Sequence, residues 1–168
     1  MRVFKILLAA VTVVGLAVLF GPVYAGFGIF AVGAMLTRDL ATPRRSHREP
    51  LYDHIPLAAG VTVYAGSLGE IVGGLLQPAG TAGTGRCVFV TEYASNAGGA
   101  AGDVMAKVEY GVGAAYLYRT DAVYTRAQLN GPWYAVDDQT VSRTVGTNSL
   151  VGNGLFWEDA NNVWVSVE

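Results

Sequence analysis

The sequence predicts an all-β protein, a compact sandwich or barrel built from short hairpins. Three observations carry this expectation. Segments rich in Val, Phe, Tyr and Thr recur at short intervals, separated by Gly, Asn, Asp and Pro. Several of them alternate with period two: in Val104–Tyr110, Val104, Ala106, Val108 and Tyr110 face one way, and Met105, Lys107 and Glu109 the other, as in a half-buried antiparallel strand. The third is a content of 22 glycines in 168 residues, with only one short stretch of the body, Asp121–Leu129, suited to a helical turn.

The most informative stretch is Cys87–Tyr110, read as strand, loop, strand. CVFVTEY and VMAKVEY flank Ser95–Asp103 (SNAGGAAGD), whose glycines and Asn accept backbone angles that other residues resist. Upstream, Val61–Tyr64 and Leu68–Val72 read as short strands, with Gly73-Gly74 as a tight turn into Leu75-Leu76-Gln77. Pro78–Gly85 is a Gly/Thr/Ala loop. Downstream, Ala114–Arg119, Trp133–Val136 and Gln139–Thr144 read as strands, with Asp137-Asp138 as a turn. Leu150–Trp157 and Val163–Val167 make a last hairpin closed by Glu158–Asn162.

Before this body stand two segments of different character. Residues 1–36 form an apolar, helix-like leader: Arg2 and Lys5 precede a run from Ile6 to Thr37 without a charge. The run is long enough to span a bilayer. It also fits a secretory signal, with small residues near Pro22–Ala25. In a third reading Met35 is the true start, and the preceding residues come from a misplaced start codon. Residues 37–56 read as an extended basic arm, interrupted by Pro43, Pro50 and Pro56. The β domain then covers 57–168.

Net charge is −2, unevenly spread. Arg38, Arg44, Arg45 and Arg48 fall within eleven residues, whereas from Leu51 onward five basic residues face eleven acidic ones. A basic arm on an acidic body is either a solvated tether or a strap that docks on an acidic neighbour. The single Cys87 excludes an intrachain disulfide and reads as strand core.

Motifs that imitate chemistry have simpler explanations. Gly80–Cys87 mimics a phosphate-binding loop, but Arg86 and Cys87 stand where Lys and Ser or Thr belong, and a strand follows where the mechanism needs a helix. Asp137-Asp138 suits a turn better than a shared ligand, because adjacent strand residues point to opposite faces. Asp159, Asn161 and Asn162 match no calcium-loop spacing. His47 and His54 both lie in the arm, away from any nucleophile in a defined element. Aromatic residues alternate with aliphatics and no basic groove interleaves with them, which speaks against nucleic-acid binding. The expectation is a protein without enzymatic activity, catalytic residues, cofactor, metal or small-molecule substrate.

From Met35 onward the chain resembles the small capsid decoration, or head cement, proteins of tailed bacteriophages and Mu-like prophages. The residues that carry the resemblance are Ile55–Gly66 (IPLAAGVTVYAG), Ser95–Asp103, Tyr134–Val141 (YAVDDQTV) and Val163-Trp164-Val165, in that order. It implies a β-domain on the outside of a virion, assembled in the host cytoplasm. It also implies a homotrimer that binds the major capsid protein and braces neighbouring shell subunits. On that basis Arg44, Arg45 and Arg48 are candidate strap residues, and Asn96, Gly98, Gly99 and Asp103 candidate contacts in a second loop. The resemblance favours Met35 as the start. The alternative is a secreted or membrane-anchored β-domain of the bacterial envelope that binds a protein partner.

Overall fold

The computed structural model describes residues 35–46, 49–81, 83–110 and 114–168. The apolar leader through Ala34, together with His47 and Arg48, lies outside them. The described chain is almost wholly strand, as expected, with one 3-10 turn at Arg126–Gln128 inside the stretch read as a helical turn.

Five strands close into a barrel: β9 (Ala114–Thr120), β11 (Thr140–Ser142), β10 (Pro132–Ala135), β12 (Leu150–Asp159) and β13 (Asn162–Ser166). Closure comes from β13 pairing back onto β9, with Val165 opposite Tyr116 and Val163 opposite Tyr118. The β11–β9 pair is parallel, and every other pair in this sheet is antiparallel. A second, antiparallel sheet holds β2 (Leu51–Pro56), β8 (Met105–Tyr110), β6 (Arg86–Val90), β4 (Leu68–Val72) and β5 (Leu75–Pro78), in that order. A short pair, β3 (Thr62–Val63) with β7 (Ala94–Ser95), completes the fold.

Strand β6 shows how the two sheets share the core. Cys87 and Phe89 point into a cluster with Tyr116, Trp133, Val151 and Val163 of the barrel. Val88 and Val90 point the opposite way, into a second cluster with Leu57, Val63, Leu76, Ala106 and Val108. A strand covered on both faces has no solvent side, which is why CVFV is continuously apolar. The Phe89 ring stacks on Tyr116 with centroids 3.9 Å apart, joining sheet to barrel. Cys87 is fully buried there, and burial pushes its thiol up to about 12.

The turn at Gly73-Gly74 joins β4 to β5 as its sequence suggests; both residues have positive φ, +59° and +83°, which suits glycine in a two-residue hairpin. The Asp137-Asp138 turn is also as expected: Asp137 Oδ1 accepts hydrogen bonds from the backbone N–H of Gln139 and of Thr140, both at 2.7 Å. In the Gly80–Cys87 stretch, Arg86 and Cys87 open β6, so a strand stands where a phosphate loop needs a helix.

Two expectations change. The arm over 37–56 carries strands of its own, β1 (Arg44–Ser46) and β2, and these are stitched into the barrel edge and the second sheet. The boundary at Leu57 therefore does not separate an arm from a body, and the described residues belong to one compact unit. An extended, proline-bracketed segment satisfies its backbone groups by adding to open sheet edges, which sequence composition does not display. Glu109 also does not face solvent. It is 2% exposed, because the barrel and β1 cover that end of β8, whereas Met105 at the other end is half exposed.

Candidate functional site

Residues 36–46 run as a strap over the barrel and the second sheet. Leu36 N–H donates to the Asp138 carboxylate at 2.9 and 3.1 Å. Leu40 N–H donates to Ala65 O at 2.7 Å, and Asp39 Oδ1 accepts from Ala65 N–H at 2.9 Å. Thr42 Oγ1 donates to Gly66 O at 2.6 Å. Beyond Pro43, whose carbonyl accepts from Leu117 N–H, the strap becomes β1. The backbone of Leu40 sits where a Cβ on Gly66 would be, and Gly66 has φ +87°, so the strap rests on a position that only glycine fills without strain.

Strand alternation sends the two arginines of β1 to opposite sides. Arg44 points inward, where its Nε donates to Glu109 Oε1 at 2.9 Å and its Nη2 forms an ion pair with the same carboxylate. The carboxylate side chain is 3% exposed and the guanidinium side chain 31%. Hydrogen bonding to Glu109 raises the Arg44 pKa further, against the opposing effect of burial. Burial, with the Glu109 charge beside it, also pushes the Tyr116 hydroxyl well up. Arg45 points outward, with its guanidinium 4.1 Å from the Trp164 ring centroid and 5.6 Å from that of Phe156. Glu158 lies 3.9 Å away and accepts the Trp164 indole N–H at 2.8 Å. Arg48 lies outside the described residues.

The Ser95–Asp103 loop is organised around Asn96, which is 2% exposed. Its Nδ2 donates to Ala58 O at 3.1 Å and to Ala100 O at 2.7 Å, clamping the loop to the chain before β3. Asp103 Oδ2 accepts from Ala100 N–H at 2.7 Å. Gly99 packs against Asn96 Oδ1 so closely that a Cβ would collide with it. Asn96, Gly99 and Asp103 thus build the loop, while Gly98 stands at the tip with open space around it.

The feature that sequence reasoning missed is the edge strand β2. It pairs with β8 along its length, the chain just past its end bridges to β5 at Leu57 and Leu76, and Leu51, Tyr52, Asp53 and His54 are all exposed. Leu51 is 63% exposed, Tyr52 51%, and Met105, opposite Pro56 in the register, 50%. Lys107 covers the Tyr52 ring at 4.6 Å and pairs with Glu92 at 3.1 Å. Tyr52 and Ile55 favour a strand, whereas Pro50 and Pro56 on either side weigh against one.

Buried acidic groups elsewhere hold structure together. Glu70, fully buried, accepts from Ser149 Oγ at 2.8 Å and from Gln77 Nε2 at 2.9 Å, tying the second sheet to the loop before β12. Burial raises the Asp138 pKa, and the neighbouring Asp137 charge adds to the rise. Among the described residues no three His, Cys, Asp or Glu groups converge as a metal site would require. A cavity of about 130 Å³ lies under the strap, between Thr42 and Gly66 on one side and Leu117–Arg119 on the other. That is room for a few waters, well under the roughly 300 Å³ from which small-molecule pockets start. No protein-family model, curated protein or solved structure matches the chain.

Proposed function

We propose that this protein is a capsid decoration protein of a tailed bacteriophage, a non-catalytic brace that binds the major capsid protein on the outside of the head. The observation that carries the reading is the edge strand β2, where Tyr52 and the nearby Met105 on one face, and Leu51 on the other, are each at least half exposed. A bare apolar strand edge is an aggregation hazard in a solitary domain and an asset in one that is covered on assembly. Covering the exposed half of each of these side chains stabilises a contact by roughly 1 kcal/mol, about half the effect of full burial. Repetition over several copies, as in a trimer, multiplies that effect through avidity. The resemblance of Ile55–Gly66, Ser95–Asp103 and Tyr134–Val141 to head cement proteins names the partner. The strap with Arg44 and Arg45 serves here to brace β1 against the barrel, leaving β2 and the Gly98 tip as contact surface.

The test is quantitative mass spectrometry of purified virus-like particles from the natural source, alongside its membrane fraction. The expected result is the chain in the particles at a fixed ratio to the major capsid protein, with Tyr52→Asp lowering that ratio. Recovery in the membrane fraction only would overturn the reading. It would instead support an envelope protein, the alternative that the charge-free run from Ile6 to Leu36 favours.

A further inference from the structure

The chain contains two Asn-Gly pairs, Asn130-Gly131 and Asn153-Gly154, and the fold treats them oppositely. Asn-Gly is the pair in which a backbone amide most easily reaches the preceding side chain, because glycine has no Cβ to obstruct it. Asn130 is exposed and lies in a bend between the 3-10 turn and β10. Neither its side chain nor the Gly131 N–H has a hydrogen-bond partner among the described residues. Gly131 has φ +109°, a backbone angle that glycine adopts without strain. Asn153 sits inside β12, opposite Pro132 in the register. Its N–H donates to Ser166 Oγ at 2.9 Å and its carbonyl accepts from the same hydroxyl at 3.2 Å. The would-be nucleophile, Gly154 N–H, is buried and already donates to Gly131 O at 3.2 Å.

We infer that Asn130 is a site of spontaneous, non-enzymatic deamidation, and that Asn153 is protected while the protein is folded. Hydroxide removes the Gly131 amide proton, and the nitrogen attacks Asn130 Cγ. A C–N bond closes a five-membered succinimide, and the side-chain nitrogen leaves as ammonia. Water then opens either ring carbonyl, giving aspartate or isoaspartate, so the balance is asparagine plus water to an acid plus ammonia. The new carboxylate arises beside Arg143, whose guanidinium lies against Gly131 and donates to Pro132 O at 2.7 Å. In the isoaspartate form the main chain gains a methylene next to Leu129 O, which accepts the Trp133 indole N–H at 3.1 Å. The modification therefore adds charge and slack at one end of the barrel.

The experiment is a time course of the full chain held at mildly alkaline pH, in native buffer and in urea, followed by peptide mapping that resolves isoaspartate. In native buffer the Asn130 peptide should split into aspartate and isoaspartate products while the Asn153 peptide stays intact. In urea both should convert at similar rates. Conversion of Asn153 in native buffer as fast as Asn130 would overturn the inference. So would an unchanged Asn130 over the period in which the unfolded chain converts. Asn130→Gln should abolish the native-state product.

Discussion

Replacing Arg44 by Met isolates the pair that pins the strap. The change keeps an unbranched apolar stem but leaves the Glu109 carboxylate, 3% exposed, without its cation between barrel and sheet. Removing one partner of a buried pair costs about 3–5 kcal/mol. The guanidinium here is nearly a third exposed, so water relieves part of the loss and the expectation falls to about 2–4 kcal/mol. The companion Arg44→Met/Glu109→Gln removes both charges and should recover at least about 1 kcal/mol of that loss, because the stranded charge is gone. Guanidinium chloride unfolding of the wild type, the two single variants and the double variant measures all four corners of the cycle. At this chain length each kcal/mol also moves the melting temperature by roughly 2–5 °C. A cost below about 0.5 kcal/mol for Arg44→Met, the level of an exposed ion pair, would refute the reasoning. So would strict additivity of the two changes.

Three further outcomes follow from the same geometry. Asp138 has its pKa raised by burial, so the folded state holds that proton more tightly than the unfolded one; its contribution to stability rises as pH falls through the raised value and is lost above it. Asp138→Asn should flatten that part of the stability–pH curve measured by urea unfolding, whereas exposed Asp159, with its lowered pKa, contributes the opposite slope. Cys87, with its thiol pushed up to about 12, should resist alkylation at pH 8 in native buffer and react fully once unfolded; native labelling at the free-thiol rate would contradict its place in the core. Gly66→Ala puts a methyl group where the Leu40 backbone lies, at φ +87°, and should cost more than about 1 kcal/mol and expose residues 36–46 to limited proteolysis. An unchanged digestion pattern would show that the strap does not depend on this contact.

Much of the local structure was legible in the residues. Alternation in Val104–Tyr110 located β8, Gly73-Gly74 located a hairpin turn, Asp137 located another, and the apolar setting of Cys87 placed it in the core. Each of these is decided within a few residues by backbone sterics, side-chain period or turn chemistry, so they are readable locally and, with them, the β class. What the local residues do not display is anything that depends on which edges meet. That the barrel closes between β13 and β9, that Arg44–Ser46 adds to β9, and that Glu109 is buried are outcomes of long-range pairing. The candidate site divides in the same way. The roles of Asn96, Gly99 and Asp103 as builders of their loop, and the exposure of Leu51 and Tyr52 on an open edge, appeared only in three dimensions. The physical reason is that a strand's own residues set its period and its turns, whereas its neighbours set which face is covered and which edge stays open.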